Sequence, residues 1–144
     1  MGKKRIIRKS GGSVDAGLKS RSLARVAKKN LVSGILNIHA TYNNTKVLLA
    51  DKEGNTVAWS SSGALGFSGA KKGTPFAAAK VGEIVGDKAN IIGIKEVVVV
   101  IRGVGAGRES ALRAFAGKGI DVLRISDDTP IPHNGPRPPK PRRI

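Results

Sequence analysis

Val97-Val98-Val99-Val100-Ile101 is an unbroken run of five β-branched residues, and it limits what this chain can become. Two heavy atoms on each Cβ stiffen χ1 and favour a pleated strand over a helix. A run with no polar alternation marks a strand covered on both faces, which predicts helices on both sides of a largely parallel sheet. Its flanks supply two helices. Thr74-Pro75 gives an N-cap followed by an N1 proline. That helix continues through Phe76, Ala77, Ala78, Ala79, Val81, Ile84 and Val85 to about Asp87. After the run, Arg102–Gly107 is a glycine loop, Arg108–Ala116 is a helix ended by Gly117, and Ile120–Ser126 is a last strand.

Ahead of the first helix lie three shorter strands. Ile35–Ala40 partly alternates, Tyr42-Asn43-Asn44-Thr45 is turn chemistry, and Lys46–Ala50 is a second strand. Asp51-Lys52-Glu53-Gly54-Asn55 turns again into Thr56–Ser60, completing an antiparallel meander. The order is βββ-α-β-α-β, an α/β fold of ribonuclease-H-like topology. It predicts a three-layer α/β/α sandwich around a mixed five-stranded sheet, with its parallel strands joined by right-handed crossovers.

Charge divides the chain into three parts. Residues 1–30 carry ten Lys/Arg against one acid, residues 31–128 twelve against nine, and residues 129–144 four against none, which gives +9, +3 and +4 of the net +16. The expected organisation is a basic N-terminal extension (1–30), an α/β core (31–128) and a Pro-rich basic tail (129–144). Within the first extension, Asp15–Lys29 favours a short helix that forms on binding and carries Lys28 and Lys29. A near-neutral core between two cationic arms favours nucleic acid over a basic enzyme cleft. Neither arm has a strong apolar face to insert into a membrane. With no apolar span, no apolar signal segment in MGKKRIIRKSGG and no cysteine, the expectation is a soluble cytoplasmic protein without disulfides, thiolate catalysis or Cys-based zinc.

The tail TPIPHNGPRPPKPRRI holds six of the seven prolines. No helix or central strand can run through it, so an extended polyproline-like course is expected. From composition alone, three readings stand: a solvated linker, a ligand for a Pro-binding groove, and a cationic arm for RNA.

Few residues offer chemistry. Gly103-Val104-Gly105-Ala106-Gly107 follows a buried strand and precedes a helix, but Arg108 occupies the third glycine position of a dinucleotide fingerprint. What survives is anion binding by glycine N–H groups and a helix N-terminus, with Arg102 and Arg108 adding charge. A tight structural turn is the plainer alternative. A metal-dependent nuclease on this fold needs clustered carboxylates. Asp51, Glu53, Asp127 and Asp128 are the candidates, and no acid lies in the first strand. His39 and His133, one on a strand and one in the tail, make neither a metal site nor a triad. Lys71, Lys72, Arg102, Arg108 and Arg113 can share one rim with the arms, because loops leaving the carboxyl ends of parallel strands cluster there. At 3% aromatic residues a base-stacking platform is not available, so recognition should run through phosphates and shape, as for folded RNA.

HATYNNTKVLLADKEGN, SSSGALGFSGAKKGTPFAAAK, VVVVIRGVGAGRESALRAF and ISDDTPIPHNGPRPPKPRRI together resemble the universal small-subunit ribosomal protein eleven family over roughly residues 28–144. The resemblance implies a non-catalytic component of the 30S platform without a cofactor or small-molecule substrate. It implies binding to 16S ribosomal RNA, contact with neighbouring ribosomal proteins and proximity to messenger RNA at the exit end of its channel. Asn43, Asn44 and Thr45 match the family's NNT turn, and Lys71, Lys72 and Thr74 match its basic loop. Gly105, Gly107, Arg108 and Glu109 match its G-x-G-R-E turn. His133, Asn134, Gly135, Arg137, Lys140, Arg142 and Arg143 match its tail. With Lys28, Lys29 and Arg102, these residues (Glu109 apart) are the expected RNA contacts. Two positions depart from the family, Pro136 replacing its usual Cys and Pro141 its Lys. The resemblance also associates isoaspartate with Asn134, whose following glycine leaves a backbone nitrogen free to attack the side chain. A free nucleic-acid-binding or RNA-processing protein on the same fold is the alternative function.

Overall fold

The computed structural model describes Ser20, Leu23 and residues 30–141. Most of the predicted Asp15–Lys29 helix, with Lys28 and Lys29, lies outside the described residues, as do Arg142 and Arg143. The elements are β1 (Ser33–Ala40), β2 (Thr45–Ala50), β3 (Thr56–Ser61), α1 (Pro75–Ile92), β4 (Glu96–Arg102), α2 (Gly107–Ala116) and β5 (Asp121–Asp127). They make one mixed sheet in the order β3-β2-β1-β4-β5. β2 runs antiparallel to both β1 and β3, whereas β1, β4 and β5 are parallel.

The sheet is covered differently from the expectation. Among the described residues α1 and α2 lie on the same face, giving two layers and not three. A Cβ built on Gly82 of α1 would stand 2.4 Å from the Ala111 carbonyl oxygen of α2. Helices in backbone contact cannot have a sheet between them. The strands record the same asymmetry. Val97, Val99 and Ile101 are buried while Val98 and Val100 are only half-buried, and in β1 Leu36, Ile38 and Ala40 are buried but His39 is exposed. On the second face Trp59, paired in register with Leu48, is 57% exposed.

The reason is topological. Both crossovers step the same way across the sheet, from β3 past β2 and β1 to β4, then from β4 to β5. Right-handed connections taken in one direction land on one face. The single core therefore sits between that face and the helix pair. Leu36, Ile38, Val47, Leu49, Val81, Val85, Val97, Val99, Ala111 and Phe115 all belong to it.

α1 also runs past its expected end near Asp87. Gly86-Asp87-Lys88 looks like a helix stop, yet each residue has a tertiary partner. A Cβ on Gly86 would meet the Lys118 side chain at 2.6 Å, Asp87 pairs with the Lys118 ammonium at 2.8 Å, and Lys88 Nζ donates to the Trp59 carbonyl at 2.9 Å. Burial pushes the Lys88 ammonium below its ordinary pKa. Ala89 and Ile92 then reach the core, and Gly93 ends the helix at φ 93° with its N–H bonded to the Ala89 carbonyl.

Candidate nucleic-acid interface

Because β1, β4 and β5 are parallel and β3 runs with them, their carboxyl ends meet at one edge of the sheet. β2 starts from the same edge. Register places His39, Lys46, Ser61 and Arg102 in one row there. Three connections leave this edge, the 41–44 turn, the 62–74 loop and the 103–106 loop, and the tail leaves beside them. The fold thus brings together Asn43, Asn44, Thr45, Lys71, Lys72, Thr74, Arg102, Gly105, Gly107 and Arg108, from segments far apart in the chain.

The loops are built on one another. Thr41 Oγ1 closes the first turn, donating to the Asn44 carbonyl at 3.0 Å and accepting from its N–H at 3.1 Å. Tyr42 and Asn43 are thereby left exposed at its tip. The 103–106 loop rests on that turn. Gly103 has φ 99° and no room for a side chain, since a Cβ there would lie 2.1 Å from the Ala40 carbonyl oxygen. The Gly105 N–H donates to the same Ala40 carbonyl at 2.9 Å. Thr45, Gly105 and Gly107 are buried, so they support the rim from below and do not form its surface.

The second loop ends in a 3-10 turn, Gly69–Gly73, that carries Lys71 and Lys72 immediately ahead of α1. Thr74 secures the junction. Its hydroxyl donates to the Lys71 carbonyl at 2.7 Å and accepts from the Ala77 N–H at 3.3 Å, a cap worth about 1 kcal/mol. The two lysines are thus held at a helix N-terminus, where the backbone dipole also favours negative charge.

Arg102 and Arg108 are committed elsewhere. Arg102 pairs with Asp128 at 3.0 Å. Arg108 donates to the Gly103 carbonyl, to Thr129 Oγ1 and to the Asp127 carboxylate. Hydrogen bonds from the Thr129 hydroxyl, from Arg108 and from the Thr129 N–H hold the Asp127 carboxyl down at about 2. Arg113 pairs with Glu109 along α2. Lys46, Lys71, Lys72, Arg137 and Lys140, in contrast, have no ion-pair partner among the described residues.

In the tail, His133, Asn134, Gly135, Arg137 and Lys140 are all exposed. Asn134, at φ 55°, is the non-glycine residue with positive φ among those described. Sequence reasoning overlooked Lys46, which the register sets in the same row as Arg102, and Thr129. The Asp-Asp-Thr-Pro string was the available signal for Thr129, because an Asp carboxylate accepting the N–H two residues on is a common local turn.

The carboxylates considered for a metal centre are separated. Asp51 and Glu53 follow β2 at the opposite edge, where Asp51 Oδ1 accepts from the Glu53 and Asn55 N–H groups at 3.0 and 2.8 Å. Asp127 and Asp128 end β5 at the tail edge. No cluster of three or more metal-ligating residues occurs among the described residues, and no described helix is long and apolar enough to cross a membrane.

The class this defines is an α/β domain with one cationic, glycine-lined edge. The family model of ribosomal protein S11 matches residues 34–143. The chain belongs to that family, and so to the proteins of the small ribosomal subunit.

Proposed function

We propose that this protein is a structural, non-catalytic constituent of the 30S platform that binds 16S ribosomal RNA near the messenger exit region. Its role there is to support assembly and translation beside neighbouring ribosomal proteins, in the cytoplasm. One observation carries the reading: Lys46, Lys71 and Lys72, which have no ion-pair partner among the described residues, share the edge from which the cationic proline tail departs. A polyanion laid on that edge gains several phosphate contacts from one rigid surface, releasing counterions with each. The core from 31 to 128 acts as the seat, and the basic segments 1–30 and 129–144 contribute cations to the RNA.

Sedimentation of cell extract containing the tagged chain tests this. Cofractionation with 30S particles at high salt is expected. Recovery in free complexes that carry nuclease activity would point instead to an RNA-processing protein.

Asn134 is the proposed site of isoaspartate formation. It is exposed, it adopts φ 55°, and the glycine after it puts no side chain in the way of a cyclic succinimide. Peptide mapping of protein taken from ribosomes should show a form isobaric with aspartate at 134; unmodified Asn alone would exclude it.

A further inference from the structure

We propose that Arg108 and Asp127 form a clamp that aims the tail, with Arg108 acting as a positioning residue and not as a phosphate contact. The proposal rests on the reading that the tail meets RNA.

Among the described residues, the tail is tied to the domain at its start. Asp127 Oδ1 accepts from the Thr129 N–H at 3.0 Å and from its hydroxyl at 2.6 Å. Thr129 Oγ1 in turn accepts from the Gly103 N–H and from Arg108 Nη1, each at 3.2 Å. Arg108 spans the other side, reaching the Asp127 carboxylate and the Gly103 carbonyl. Alongside, the Asp128 N–H donates to the Ile101 carbonyl at 2.9 Å and its carboxylate holds Arg102. Beyond Thr129, residues 130–141 make no hydrogen bond or ion pair with the other described residues.

A single exposed ion pair contributes little to stability. This one is different in kind. A guanidinium fork, a carboxylate, a hydroxyl and three backbone groups close one network, so the direction of the chain at Thr129 is set from several sides. Pro130 and Pro132 come immediately after and hold φ fixed. An angle set at Thr129 is therefore carried on to His133, where the chain bends, and to the cations beyond. The network also settles a charge problem. A free carboxylate on a rim facing phosphate opposes binding, whereas Asp127 spends its charge on Arg108.

The absence of cysteine allows spin labels at Lys46→Cys and Ile131→Cys in the full chain, and pulsed electron resonance then reads tail direction without RNA. A narrow distance distribution is expected in the labelled parent. Arg108→Gln, Arg108→Lys and Asp127→Asn should each broaden it to a similar degree, and Arg108→Gln/Asp127→Asn should add little. Lysine keeps the charge but lacks the fork, so it should not rescue. Binding to a 16S ribosomal RNA fragment should weaken about threefold to tenfold in all three. Asp127→Asn is the decisive sign, because deleting an unengaged acid from this rim would tighten binding. Unchanged distances, tighter binding by Asp127→Asn, or full rescue by Arg108→Lys would each overturn the clamp. RNA binding is read in unlabelled chains that keep Lys46; failure of the unlabelled parent to bind RNA would sink the RNA reading, while the distances in the labelled chains still decide the clamp.

Discussion

Gly103→Ala is expected to destabilise the domain by about 2–5 kcal/mol, read from urea unfolding. Two effects contribute. The residue sits at φ 99°, and an L side chain held at positive φ costs roughly 1–2 kcal/mol. The new methyl would also stand 2.1 Å from the Ala40 carbonyl oxygen. Overpacking of that kind costs about 1–3 kcal/mol, and here the neighbour is backbone and cannot swing away. Gly119→Ala is the matched control, because Gly119 has φ 79° with open space around its Cβ direction. It should lose only the first contribution. Equal losses at the two positions would show that the crowding at Ala40 carries no weight. Since Gly103 and Gly105 seat the β4–α2 loop on the β1–β2 turn, the first variant should also weaken RNA binding at temperatures where it remains folded.

The elements of this fold were legible because each has a local cause. Thr74-Pro75 caps α1 as the residues predict, and the β-branched run from Val97 to Ile101 is β4. The layer count was not legible. In a central strand flanked by β1 and β5, Val98 and Val100 are shielded sideways by neighbouring strands, so half-burial needs no second helix layer. A run of valines reads the same in both cases. The end of α1 failed for a related reason, since Gly86, Asp87 and Lys88 look like helix stops until Lys118 and Trp59 are opposite them.

The candidate interface was half legible. That glycine loops and cations would gather at one edge is a consequence of strand direction alone. Which cations are spent internally is not, because the side-chain partners of Arg102 and Arg108 lie 19–26 residues further along the chain. Asp127 is the acid that takes up Arg108. Its folded-state pKa is depressed, so its stabilising contribution is complete above the unfolded value near 3.8 and is lost as pH falls through about 2. The Arg108–Asp127 pair is thus intact at neutral pH, and among the described residues the rim charge left without an ion pair reduces to Lys46, Lys71, Lys72 and the tail cations.

Deleting residues 137–144 is expected to flatten the salt dependence of RNA binding more than any change on the rim. The deletion removes Arg137, Lys140, Arg142 and Arg143 and spares the Asp127–Thr129 anchorage. Each phosphate contact contributes about 0.7–0.9 to the slope of log K against log salt, so losing four lowers it by about 3. Between about 50 and 200 mM salt, the parent should then lose roughly sixtyfold more affinity than the truncated chain. Replacing the same four cations with Gln should reproduce the flattened slope with the prolines in place. Changing Pro138, Pro139 and Pro141 to Ala should leave the slope intact and weaken binding at every salt concentration, because a softer segment loses more entropy when ordered. Those two variants divide the tail's work between charge and stiffness. A slope unchanged by the truncation would mean that the four cations stay in solvent and that the prolines hold the segment away from RNA.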